Sequence, residues 1–261
     1  MKKGCARMIA VQDIKLRGIP SLIVSDEKRK SLSLPTVIFW HGFTSAKEHN
    51  LHYAFLLAKE GLRVILPAAL YHGDRGEGIS QKKLSLSFWD IVLQGIRDTS
   101  AVRDALEERK LIADGRLFMA GTSMGGILTS GALAAFNWVK GGAVLMGNPS
   151  WETFARQQIS RLTQEGVLNL SVEETEKQVA ALRPYDISTQ VEKIKDRPLF
   201  FWHGKLDDVV PYHSAYAFYQ ALHEAVDVQE DNAVFHLEPA SGHKVTREGM
   251  LAMVKWVARK I

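Results

Sequence analysis

Residues 120–126 read AGTSMGG, a G-x-S-x-G pattern set between the apolar run RLFMA (116–120) and the helix-favouring run ILTSGALAAF (127–136). A strand that turns at once into a helix forces the residue at the apex into strained backbone angles and lifts its side chain out of the sheet. Here that residue is Ser123. Gly121 and Gly125 fit beside it because side chains there would obstruct the close approach of helix and strand. The heptapeptide therefore predicts a nucleophilic serine at the edge of an α/β sheet.

Outward from this turn, apolar strand-like runs alternate with segments of helical spacing. TVIFW (36–40), RVILPA (63–68), GAVLMG (142–147), PLFFW (198–202) and AVFHLE (233–238) read as strands. LHYAFLLAKEG (51–61), the long segment from Phe88 to Lys110, AYAFYQALHEA (215–225) and the terminal GMLAMVKWVARKI read as helices, although Gly95 interrupts the second. Strands alternating with helices specify an α/β fold whose mostly parallel sheet is covered on both faces. The N-terminal stretch differs, with β-branched residues on either side of Arg17-Gly18 predicting two antiparallel strands. Residues 149–197 also break the alternation and carry only helix-like and loop-like sequence. They predict a small helical insertion within one folded unit spanning 1–261. Its apolar stripe of Trp151, Phe154, Ile159 and Leu162 serves either as core packing or as a cap over a site.

A serine hydroxyl is a weak nucleophile at neutral pH and needs a base within hydrogen-bond reach, oriented by a carboxylate. KLDDVVP (205–211) places Asp207 and Asp208 just past a predicted strand, on the edge where open α/β folds gather their ligands. PASGHKV (239–245) places His243 after the last predicted strand, giving the chain order Ser, Asp, His expected of this turn. The tetrapeptide FWHG occurs twice, at 39–42 and 201–204, with unlike surroundings. Both copies read as strand exits onto one edge, with His41 and His203 bonded to nearby backbone. The loop after the first supplies the Phe43 amide, which with the Met124 amide forms an oxyanion hole; Gly42 is expected to let that loop turn sharply.

Composition bounds the alternatives. At 261 residues and 46% apolar content the chain builds a sizeable core. Its formal charge of +4 comes from Lys and Arg interleaved with acids, a solvated surface and not a nucleic-acid-binding stripe. The N-terminal segment lacks the apolar region of a secretory signal, and no run approaches a membrane span. Cytoplasmic residence is the expectation. Cys5 is the sole cysteine, an incidental thiol that excludes an internal disulfide. A metal site from His41, His203 and His243 lacks any H-x-H or H-x-x-x-H spacing; His49, His52, His213 and His223 read as helix-surface residues.

Taken together, HGFTSAKEHN, HGDRGE, FWDIVL, GTSMGG, FWHG with DDVVP, and HKV resemble the α/β-hydrolase superfamily over nearly the whole chain. The resemblance narrows to the branch shared by prolyl-oligopeptidase-type and dienelactone-hydrolase-type enzymes. It implies Ser123 as nucleophile, Asp207 as orienting acid, His243 as base, and the Phe43 and Met124 amides as oxyanion hole. The expected activity is cleavage of small carboxylic esters through an acyl-enzyme, with no cofactor, no metal and no nucleic-acid or membrane partner. A peptidase or aminoacyl-ester hydrolase of the prolyl-oligopeptidase type is the alternative within the enzymes; a silent small-molecule binder is the alternative outside them. Tyr71, Trp151 and Phe154 are candidates for the substrate pocket from their loop positions and equally candidates for core; Arg75 in YHGDRGEG is a candidate for binding an acidic substrate group, but an arginine in a glycine-rich loop more often ties its own loop together through backbone carbonyls.

Overall fold

Arg17 and Gly18 take φ of 47° and 83°, the two left-handed residues of a type I′ turn, and join β1 (Ile9–Leu16) to β2 (Ile19–Asp26) as an antiparallel pair. The computed structural model describes residues 7–76, 78–194, 196–225 and 231–261; Cys5 lies outside them. After the hairpin come β3 (Leu34–Trp40), α1 (Leu51–Lys59), β4 (Arg63–Pro67), α2 (Gln81–Leu86), α3 (Phe88–Glu108), β5 (Ile112–Thr122), α4 (Met124–Ala135) and β6 (Gly141–Leu145). Helices α5 (Trp151–Gln164), α6 (Val172–Ala180) and α7 (Val191–Ile194) then precede β7 (Leu199–Gly204), α8 (His213–Ala225), β8 (Ala233–Glu238) and α9 (Arg247–Lys260). The described residues form one eight-stranded sheet in the order β1-β2-β4-β3-β5-β6-β7-β8. Pairing is parallel from β4 onward, and β2 meets β4 antiparallel.

Both faces of the sheet are buried, and the period-two alternation of the strands divides the core between them. Ile38, Met119, Val144 and Phe201 join one apolar cluster with α3, α4, α5 and α8. Val37, Phe118, Ala143 and Phe200 join the other with α1 and α9. The two FWHG copies sit in opposite phase on this pattern: Trp40 packs with the first cluster, Trp202 with the second. They share a position at strand ends but not an orientation. Gly95, which weakened the helical reading of α3, marks the point where α3 meets α4; a Cβ there would lie 2.1 Å from Leu128 Cδ1. Close packing of two helices explains the glycine.

Two features were not anticipated. The short helix α2 is one, capped by Ser80 Oγ accepting from Lys83 N–H at 3.3 Å. The other is the length of β5, which begins at Ile112 and passes through left-handed Asp114 and Gly115 before its register with β3 resumes. Among the described residues no helix is long and apolar enough to cross a membrane.

Candidate active site

Ser123 occupies φ 54°, ψ −116° at the junction of β5 and α4, an energetically poor conformation for a side chain other than glycine. Hydrogen bonds on both sides hold it there. Ser123 N–H donates to Leu145 O at 2.8 Å, and Ser123 O accepts from Ile127 N–H at 2.9 Å as the first bond of α4. The hydroxyl is left half-buried at the carboxyl end of the sheet. Met124 is the first residue of α4, so its N–H has no carbonyl acceptor within the helix.

Asp207 and His243 reach this hydroxyl from two loops that are themselves tied together. Lys205 N–H donates to Glu238 O and Leu206 N–H to Ser241 O, at 2.8 and 2.9 Å. Within the first loop Asp207 Oδ1 accepts from the N–H groups of Val209 and Val210, at 3.0 and 2.9 Å. Its Oδ2 accepts from His243 Nδ1–H at 2.7 Å, which leaves His243 Nε2 to accept from Ser123 Oγ–H at 2.8 Å. Hydroxyl, imidazole and carboxylate thus form one series. Burial alone would raise the Asp207 carboxyl, but the hydrogen bonds from His243 and Val210, with the adjoining imidazoles, hold it below its ordinary value. The carboxylate is ionised and cannot donate. Asp208, the neighbour that residue type alone left open, is exposed.

The remaining expected residues divide. Phe43 and Phe154 line a cavity of about 500 Å³ that includes Ser123, together with Phe88, Trp89, Ile127 and Leu162. Trp151 does not. Its ring is fully buried and donates from Nε1 to Ile127 O at 3.2 Å, pinning α5 to α4 beneath the cavity. Tyr71 also lies off the lining, its ring 5.9 Å from Lys83 Nζ. Arg75 takes the loop-tying role, with Nη1 donating to Asp98 Oδ2 at 2.5 Å and to Ala68 O at 3.0 Å. The insertion's apolar stripe is buried at Trp151 and lines the cavity with Phe154, Ile159 and Leu162.

Because Asp98 is buried, Arg75→Ala would leave its carboxylate with Gln94 Nε2 as donor. The expected loss is about 2–4 kcal/mol of stability, read by urea unfolding, with the ratio of KM for anionic to neutral esters unchanged. A selective rise in KM for anionic esters would return Arg75 to the pocket.

Both strand-end histidines are neutral and bonded to backbone. His203 Nε2–H donates to Val210 O at 2.8 Å, and burial lowers its basicity. His41 Nδ1–H donates to Gly42 O at 2.8 Å while Nε2 accepts from Ala69 N–H at 3.1 Å. Burial pushes His41 down to about 4, with Glu48 and the Gly42 carbonyl opposing and His72 and His49 reinforcing. As pH falls from about 6.5 the unfolded chain takes up this proton first, so the folded state loses up to about 3 kcal/mol, complete below about pH 4. Urea titrations should show His41→Gln losing less stability than the parent between pH 6.5 and 4. Equal slopes would remove His41 as the source. Gly42 differs from expectation: its φ lies outside the left-handed region, and it is Thr44, at φ 60°, that makes the turn.

Residues 92–261 match the model of the prolyl oligopeptidase family. The chain is 42% identical over 250 residues to "Putative esterase YitV" of Bacillus subtilis (strain 168), covering 95% of this chain and 98% of that one. It is 34% identical over 247 residues to esterase YjfP of Escherichia coli (strain K12), covering 95% and 97%. Among solved structures, TT1662 from Thermus thermophilus superposes with a TM-score of 0.75 at 20% identity, covering 97% of this chain and 98% of that one. With the matched model spanning most of the chain and two full-length relatives above 30% identity, the chain belongs to the prolyl oligopeptidase family.

Proposed function

We propose that this protein hydrolyses small carboxylic esters through an acyl-enzyme on Ser123. The observation that carries this reading is the unbroken series Ser123 Oγ, His243 Nε2, His243 Nδ1, Asp207 Oδ2, with separations of 2.8 and 2.7 Å across its two hydrogen bonds. His243 takes the proton of Ser123 as the hydroxyl attacks the acyl carbon, and returns it to the departing alcohol. The Asp207 carboxylate fixes the imidazole tautomer and stabilises the imidazolium between those events. Water then attacks the acyl-enzyme by the same route and releases the acid. The oxyanion formed in each half accepts from Phe43 N–H and Met124 N–H, donors that require no side-chain ordering. Both relatives carrying esterase names support the ester as substrate.

The aromatic lining of the cavity suits an apolar acyl group, and residues 149–197 act as its cap. Among the described residues, Trp89 Nε1 on α3 and Gln158 Oε1 on α5 are buried polar atoms of residues lining the cavity, without a protein hydrogen-bond partner.

A fluorophosphonate probe should label the wild-type protein at Ser123, and p-nitrophenyl esters of increasing acyl length should show kcat/KM rising from acetate to a medium chain. Absence of both labelling and turnover would leave a binding protein on a hydrolase fold. Matched ester and anilide substrates with one acyl group separate the esterase from a peptidase, the activity carried by the family name; turnover of the anilide at a rate matching the ester would favour the peptidase.

A further inference from the structure

The two loops at the carboxyl ends of β3 and β4 hold each other through a pair of histidines. His41, at the exit of β3, accepts on Nε2 from Ala69 N–H in the loop after β4, at 3.1 Å. His72, in that second loop, accepts on Nε2 from Thr44 N–H in the first, at 2.9 Å. Each ring donates its Nδ1–H to a carbonyl of its own loop, His41 to Gly42 O and His72 to Leu70 O, both at 2.8 Å. The ring centroids lie 5.2 Å apart. Each loop thus lends the other an acceptor for an amide that has no strand to pair with. Both rings must be neutral and carry the proton on Nδ1, because a proton on Nε2 would set N–H against N–H.

Phe43 lies between these two attachments. Pairing of β3 with β5 ends at Trp40 opposite Gly121, so nothing in the sheet fixes the backbone of the next residues. The following residue, Thr44, is held at φ 60° while His72 accepts from its N–H, and the Phe43 ring packs edge-on against the His72 ring at 5.5 Å. We infer that His41 and His72 form a reciprocal clasp whose function is to hold the Phe43 amide in place for the oxyanion, with His72 as a positioning residue for the reaction. This rests on the reading of Phe43 N–H as an oxyanion donor. An oxyanion donor acts through preorganisation, so a loop free to drift would bind the ester yet stabilise its transition state poorly. The expected signature is a defect in kcat and not in KM. Burial lowers the basicity of both rings, in keeping with neutral imidazoles.

His72→Leu removes the acceptor, whereas His72→Gln can present Oε1 near the place of Nε2. On a p-nitrophenyl ester, His72→Leu should lower kcat about 10- to 100-fold with KM within about threefold of wild type, and His72→Gln should recover kcat to within about threefold. A folded His72→Leu enzyme with wild-type kcat, or a glutamine variant no better than leucine, would overturn the clasp. A second measurement needs no activity and covers the case in which His72→Leu fails to fold. Long-range ¹⁵N–¹H spectra of the wild-type protein at pH 7 should show both rings protonated on Nδ1 and bare on Nε2; a proton on Nε2 of either ring sinks the inference. Failure of the underlying ester-hydrolase reading looks different, since wild-type protein would then be inert toward fluorophosphonate while the tautomers still report on the clasp.

Discussion

Ser123→Ala should lower kcat on a p-nitrophenyl ester by about 10⁴- to 10⁶-fold while the protein remains folded. The size follows from what the proposed mechanism would lose: without Oγ no covalent intermediate could form, and His243 would have no hydroxyl to deprotonate. What survives is the rate that oxyanion donors and binding confer on attack by water. The fold should survive because alanine retains the Cβ and faces the same backbone demand, φ 54° with both flanking main-chain hydrogen bonds intact. Only the hydrogen bond to His243 Nε2 disappears, and that nitrogen belongs to a side chain with 21% of its surface exposed, within reach of water. The thermal midpoint should move by no more than a few degrees. Because the three residues act as a unit, Ser123→Ala combined with His243→Ala should be scarcely slower than Ser123→Ala alone. Multiplicative losses, or a single variant with wild-type turnover, would place the nucleophile elsewhere.

Much of this arrangement could be read from local pattern. AGTSMGG between a strand and a helix specifies the elbow without reference to distant residues, and the alternation of runs specifies a parallel sheet. Neighbourhood is another matter. Nothing near RVILP indicates that β4 inserts between β2 and β3, yet that placement brings the loop after β4 against the loop after β3. His72 had no legible role for this reason: its partner, Thr44, is 28 residues away and becomes adjacent only once the strand order is known. Asp207 and Asp208 are likewise indistinguishable by type; only the first lies where two amides and an imidazole converge. Trp151 shows a different ambiguity, since it read equally as core and as pocket wall. Its place at the start of the insertion suggested a pocket wall, but at the N-terminus of α5 its side chain turns beneath the helix against α4, where Gly131 would bring a Cβ within 2.2 Å of the ring. Helical spacing identifies an apolar stripe and does not say which end faces the core and which the cavity.

Gly125→Ala is expected to be the most damaging one-carbon change in the site, and Gly42→Ala, in the loop opposite, nearly silent. A Cβ on Gly125 would lie 2.1 Å from Trp40 O, 2.6 Å from Trp40 C and 2.9 Å from His41 O. All three are backbone atoms at the end of a central strand, so no rotamer change relieves the overlap; either α4 must lift from the sheet or β3 must bend. We expect a loss of about 3 kcal/mol, seen as a fall of about 6–12 °C in thermal midpoint. Activity should fall further than stability alone requires, because moving α4 against β3 separates the Met124 and Phe43 amides proposed to bind the oxyanion. On Gly42 the added carbon would meet Ser123 Cβ and Thr122 O at 3.5 Å, ordinary contact distances, with φ outside the left-handed region. Its thermal midpoint should stay within about 2 °C of wild type. The comparison separates two accounts of why glycine recurs around Ser123. If close approach of backbone is the cause, Gly125→Ala fails and Gly42→Ala does not. If flexibility is the cause, both substitutions should cost alike, and equal midpoints for the two variants would overturn the packing account of the elbow.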